Sequence, residues 1–148
     1  MASGFYGKFL QSGFDNSLTK INLASGGDTI KVALVTSSYT PDFDTHDFFN
    51  DVTNEVSGTG YTTGGAALGS QTLTLNTTDN RLVIDGADTT WASSSITAAG
   101  AVIYKSTGVS STSPLIAYVD FGGNKVSDGG TFQITWHANG IGYIDYTP

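Results

Sequence analysis

Two histidines, a short run of aspartates, one glycine-rich loop and two tryptophans are the residues here whose types could do chemistry. A serine nucleophile needs a histidine to take its proton and a carboxylate to orient that histidine. The chain offers only His46 and His137, and no Gly-x-Ser-x-Gly elbow. No catalytic residue is therefore assigned. His137 follows Phe132-Gln133-Ile134-Thr135-Trp136 and reads as a strand flank that hydrogen-bonds locally. His46 lies in Asp42-Phe43-Asp44-Thr45-His46-Asp47, which has the look of the start of a calcium loop. An EF-hand loop requires Gly at its sixth position and Glu at its twelfth, and those positions hold Asp47 and Thr53. A calcium site of another kind, built from Asp42, Asp44 and Asp47, stays open beside the plainer reading of helix capping, and no metal is assigned.

The loop Gly58-Thr59-Gly60-Tyr61-Thr62-Thr63-Gly64-Gly65 has the glycine content of a phosphate cradle. It lacks a Walker lysine and the dinucleotide-binding spacing, and it follows a polar segment rather than a buried parallel strand. No cofactor is assigned. Its glycines are expected to supply positive φ or close backbone approach, letting Tyr61 fold down onto the domain. Asn76-Thr77-Thr78 matches a glycosylation acceptor, but no secretory signal accompanies it. Trp91, Trp136 and Tyr61 could stack against sugar rings, although core or rim packing is the expected role of both tryptophans.

The elements that must position these residues are β-strands. In Asp28 to Val35, Ile30, Val32 and Leu34 fall on one face and Lys31, Ala33 and Val35 on the other, a period of two. Gln71 to Thr78 places Leu73 and Leu75 inward and Thr72, Thr74 and Asn76 outward. A turn over Thr77 to Asn80 leads into Arg81 to Ile84, which predicts a hairpin. Further strands are predicted at Ser95 to Lys105, Leu115 to Phe121 and Thr131 to His137, bounded by Ser110 to Pro114 and Gly122 to Gly130. Ile141 to Tyr146 reads as an additional closing strand. Gly4 to Ser17 predicts a short helix weakened by Gly7 and Gly13. Asp42 to Val52 predicts a second brief helix capped by Asp44 or Thr45 and lidding one end of the barrel. The stretch Ser57 to Ser70 reads as a long ordered loop. Together these give an all-β, single-domain β-sandwich or barrel (jelly-roll-like) with one or two short helices. Residues 1–20 form an N-terminal arm or short helix and 21–148 a single β domain.

Composition narrows the partners. The chain of 148 residues is 39% hydrophobic but only 13% charged, about half of what an ordinary soluble domain carries, so its surface must be made largely of Ser, Thr, Asn and Gly. Such a surface suits close packing against other subunits. Thirteen acidic and six basic residues give a net charge of −7, which removes the attraction that nucleic acid and anionic membranes depend on. Neither is expected as a partner. The longest apolar run, Ala98 to Tyr104, is far shorter than the roughly 18 residues of a spanning helix, and Met1 to Leu10 lacks a signal-peptide core. A soluble protein made in the cytoplasm is expected. Cysteine is absent, so disulfides and thiolate metal sites play no part.

The succession Thr29-Ile30-Lys31-Val32-Ala33-Leu34-Val35, Tyr39-Thr40-Pro41, Asp44-Thr45-His46 and Gly58-Thr59-Gly60-Tyr61-Thr62 with Gly64-Gly65 resembles a family of small tailed-bacteriophage virion proteins. Asp88 to Trp91, Ala101-Val102-Ile103-Tyr104-Lys105 and Pro114 to Phe121 resemble the same family in the same order, so the likeness spans roughly Ile30 to Ala138. The resemblance implies a structural protein. Proteins of this sort often decorate or cement the outside of the capsid, commonly as trimers, with the major capsid protein as partner. It carries no catalytic residues. A neck or tail component, or a glycan-binding host-recognition module, would suit the same fold. Phe5, Tyr6, Phe9 and Phe14 crowd four aromatics near one terminus and form a candidate subunit interface, weighed evenly against packing on their own barrel.

Overall fold

The computed structural model describes residues 2–18 and 20–146; positions 1, 19, 147 and 148, which fall in the expected arm and β domain, lie outside the described residues. Two antiparallel sheets form a sandwich with one α-helix. The large sheet runs in the order β1 (Gly4–Phe5), β7 (Leu115–Ile134), β6 (Thr89–Lys105), β2 (Ile30–Val35), β3 (Ala66–Ala67). The small sheet is β4 (Thr72–Asn76), β5 (Arg81–Asp85), β8 (Gly142–Asp145). Helix α1 covers Gly7–Asp15, as its pattern predicts, and ends where Asn16 takes a left-handed conformation and donates its N–H to the Ser12 carbonyl.

Strand β2 shows why the large sheet forms. Val32 and Leu34 join one apolar cluster with Ile103, Ile116 and, from the small sheet, Ile84. Ala33 and Val35 point the other way into a second cluster with Val102, Tyr104 and Leu115. The alternation is as the sequence predicts, but both faces are buried. Antiparallel sheets commonly leave one face to water; here the segment from Tyr39 to Val52 closes the second face. That segment is not the expected helix. It is a chain of turns with a three-residue 3-10 turn at Phe49–Asp51. Neither Asp44 nor Thr45 caps it: Asp42 Oδ1 closes the first turn by accepting the Asp44 and Thr45 N–H groups at 3.0 Å each, and Asp51 Oδ2 caps the 3-10 turn by accepting the Asp47 and Phe48 N–H groups. Too few successive residues are free of turn preference for a helix to propagate. The aromatics it carries hold it down instead, and Phe49 stacks on Tyr104 with ring centroids 4.1 Å apart.

The strands predicted separately at Leu115 to Phe121 and Thr131 to His137 belong to one continuous strand, which ends at Ile134 and leaves Thr135 to His137 outside it. The glycine-rich stretch between them lies inside β7. Twenty residues of straight strand would reach about 66 Å, several times the ~15 Å radius of gyration of a chain this size, so β7 has to bend. The bend is a wide bulge. Gly100 pairs with Asp120 and Ala98 with Lys125, so the single residue Ala99 faces the four residues from Phe121 to Asn124. Gly122 takes φ 69° within it, a conformation that a side chain disfavours. The outcome is that Phe121 and Phe132, eleven positions apart on one strand, sit with ring centroids 6.2 Å apart.

The predicted β4–β5 hairpin is present, paired from Thr72↔Asp85 to Asn76↔Arg81. Its turn is closed by Asn76 Oδ1, which accepts the Thr78 and Asp79 N–H groups at 3.0 Å each. β8 adds to β5, which supplies the expected closing strand. Leu73 and Leu75 correct the prediction of inward packing, because they are 41% and 60% exposed. Among the described residues the apolar face of the small sheet is buried at Ile84, which is 4% exposed, and half-buried at Leu82, while Leu73 and Leu75 lie further out.

Candidate interaction surfaces

The terminal aromatics divide between core and surface. Tyr6 precedes α1, its N–H bonds to the Ile116 carbonyl, and its side chain is fully buried. Its hydroxyl lies 2.8 Å from that of Tyr39, which lies 3.2 Å from His46 Nδ1. The Asp42 N–H also donates to Nδ1, so Nδ1 is the acceptor and the chain of donors runs Tyr6 to Tyr39 to His46. Burial first, then the hydrogen bond to Tyr39, pushes the Tyr6 hydroxyl far above its ordinary pKa, which keeps it a donor. Phe5 and Phe9 are half-buried against the main core, and Phe5 also seats against Gly142 of β8, where an added Cβ would come within 2.7 Å of its ring. Phe14 alone stands in water, 93% exposed.

The other candidates are distributed, not gathered. His46 lies within the Tyr6 and Tyr39 cluster, and His137 Nδ1 accepts the Asn139 N–H at the far end of β7, the local bonding that the sequence predicts. Neither shares a hydrogen bond with a serine or a carboxylate among the described residues. Asp42 is occupied in its turn, and its carboxyl is held below the usual range by hydrogen bonds from Thr45 and then Asp44. Asp47 is pushed up, by burial first and then by the neighbouring Asp51 charge. Among the described residues no group of three or more acidic or histidine side chains is arranged to hold a metal ion.

The glycine-rich loop is a packing device. An added Cβ at Gly65 would collide with the Val32 carbonyl, and Gly65 has φ 73°. This close approach brings Tyr61 down so that its hydroxyl donates to Glu55 Oε1 at 2.6 Å and accepts the Leu34 N–H at 3.0 Å. Tyr104 donates to the Gly64 carbonyl at 2.7 Å, and burial followed by the Glu55 charge pushes its pKa up to about 12. Tyr61 stacks on Trp91, which is 5% exposed, so Trp91 belongs to the core and the half-buried Tyr61 packs against it. Trp136 is half-buried and borders an open cleft.

One surface escaped the reading of the sequence. Direct cross-strand partners share a face, so Leu73, Leu75, Leu82, Ile84 and Ile144 lie together on one side of the small sheet. Tyr146 continues the row, since its N–H bonds to the Asn80 carbonyl beyond the last ladder pair. Leu75, Ile144 and Tyr146 are 60%, 37% and 38% exposed. No charged residue falls on these positions. The charges of the sheet are all on the reverse side, where Arg81 binds Asp145 at 2.8 Å and lies over the Tyr143 ring. The signal available in the sequence was the alternating apolar content of these three strands, whose adjacency only the fold shows. Comparison with protein-family models, with curated proteins and with solved structures finds no match to this chain.

Proposed function

We propose that this protein is a virion structural protein, a decoration or cement protein that binds the outer head surface of a tailed bacteriophage as a trimer and stabilises the shell. The observation that carries this reading is the uncharged apolar face of the small sheet, left partly uncovered at Leu73, Leu75, Ile144 and Tyr146 on a two-sheet body. Exposed contiguous apolar surface marks a docking site when it is not scattered singly. Edge strand β4 adds to it, because Thr72–Asn76 carries neither the charge nor the proline that usually blunts an edge. The major capsid protein is the partner, and the sequence resemblance to phage virion proteins supports that choice. Phe14 on α1 is a second contact point, available because it is held outward.

Quantitative mass spectrometry of purified particles tests the reading. A decoration protein is present in on the order of hundreds of copies, whereas a neck or tail ring is present in multiples of about six or twelve set by ring symmetry. Absence from particles would end the proposal. Rebinding to undecorated shells, compared between the wild type and Leu75→Thr, then locates the contact on the small sheet.

A further inference from the structure

Strand β4 is one end of the small sheet: Thr72–Asn76 pairs with β5 on one side and with no strand on the other among the described residues. Which of its backbone groups are left over follows from the far side of β5. The Ile84 carbonyl accepts the Ile141 N–H at 2.9 Å and so points toward β8. Successive residues of an antiparallel strand turn their N–H and C=O groups to opposite sides, so Leu82 also faces β8 while Arg81, Val83 and Asp85 face β4. The residues of β4 opposite those three are Asn76, Thr74 and Thr72. Leu73 and Leu75 therefore point their backbone groups outward along the free edge.

We propose that β4 pairs antiparallel, edge to edge, with β4 of a second copy of this chain about a two-fold axis at Thr74, joining two three-stranded sheets into one. A two-fold contact uses the same patch on both copies, so it is separate from any three-fold contact of a trimer. The inference is independent of a role on a capsid and stands if that role fails.

The strand matches itself. With Thr74 opposite the partner's Thr74, Leu73 meets the partner's Leu75 and Leu75 meets the partner's Leu73. These are the residues whose backbone groups point outward, so each leucine pair exchanges its N–H···O=C bonds in both directions. Direct cross-strand partners share a face, which gathers the leucines on the apolar side and leaves the threonines on the polar one. A shift by one residue would set each leucine against a threonine, and the outward groups would no longer meet. No charge lies on Thr72–Asn76, so the −7 of the chain is not concentrated at the contact. The strand is also held before it pairs. Gln71 Nε2 donates to the Ala24 and Asp28 carbonyls at one end, and Asn76 closes the turn at the other, which reduces the ordering cost of association. A strand of unrelated sequence would receive the same backbone bonds; the leucine match in both directions selects a second copy.

Analytical ultracentrifugation of the full chain alone, at concentrations up to about 1 mM, should show reversible association into species with an even number of copies. Thr74 is exposed, so Thr74→Lys and Thr74→Glu should melt like the wild type. Each should weaken association about five- to tenfold, because like charges face each other across the axis, and mixing the two variants should restore it. The chain has no cysteine, which makes cross-linking a clean second readout. A non-hydrogen-bonded antiparallel pair has its Cα atoms about 4.5 Å apart, within the reach of a disulfide. Mild oxidation should thus link the Thr74→Cys variant into covalent dimers and leave Thr72→Cys, which lies opposite the partner's Asn76, unlinked. A chain that stays monomeric or purely trimeric would overturn the proposal. So would association that Thr74→Lys leaves unchanged, or two cysteine variants that link equally.

Discussion

Leu34 and Leu75 both sit in short alternating strands and face the same way as the leucine, valine or isoleucine two positions before them, yet one is fully buried and the other is 60% exposed. The strands differ little in their own pattern. They differ in what lies across them: β2 has Ile103 beside it, Ile116 in the same cluster and Ile84 of the small sheet opposite, while β4 pairs with β5 and leaves Leu73 and Leu75 41% and 60% exposed. A period of two therefore reports the pleat and not the cover. The large sheet buries its apolar residues on both faces, and the small sheet leaves several of its own in water.

Substitutions that sharpen this contrast begin in the large sheet. Leu34→Ala should cost about 2–5 kcal/mol in chemical denaturation, because a side chain with no exposed surface is replaced by a cavity between two packed layers. Gly65→Ala should cost about 1–3 kcal/mol, since the new Cβ meets the Val32 carbonyl and the positive φ disfavours it, and Tyr61 fluorescence should report the loop lifting. Tyr6→Phe removes one hydroxyl from the Tyr6, Tyr39 and His46 chain and should cost about 1 kcal/mol. A smaller loss at Tyr6 would mean that the second face of the large sheet is held by ring packing alone.

Asp28 tests where the large sheet meets water. Its carboxylate lies 3.1 Å from Lys105 Nζ and accepts the Asn22 N–H. Burial pushes its pKa up, but the Asn22 and Lys105 interactions outweigh burial and hold it below the usual range. A lowered folded pKa contributes stability that is present above the unfolded value and lost as pH falls through the folded one. Asp28→Ala should thus lower the melting temperature modestly at neutral pH, and the gap from wild type should close as the solution is acidified through the carboxylate range.

Much of this fold was legible in the sequence. The hairpin over Gln71 to Ile84 announced itself because Asn76 and Asp79 supply local turn chemistry. The role of the glycine loop was legible for a similar reason: glycines around a lone Tyr61 imply close approach. What could not be read depended on distant residues. Gly122 to Gly130 carries every local sign of a loop, and only pairing with β6 turns it into bulged strand. The fate of the terminal aromatics was open because Phe14 and Tyr6 are alike as residues; Tyr6 is buried because Tyr39 and Ile116 reach it.

The smallest effect on stability carries the most about the small sheet. Leu75→Thr places on β4 a residue that favours strands as well as leucine does, at a position already 60% in water, so the folded state loses little packing. Thermal unfolding should shift by no more than about 0.5 kcal/mol, the usual span for exposed positions. Binding to undecorated shells should nevertheless weaken, because the threonine hydroxyl would have to be desolvated in the contact without a partner. A large loss of stability instead would show that Leu75 packs against its own chain, and the contrast between the two sheets would then collapse. Unchanged stability with unchanged binding would move the contact elsewhere, to Phe14 or to the edge of β4, and Phe14→Ser separates those two because only Phe14 lies on α1.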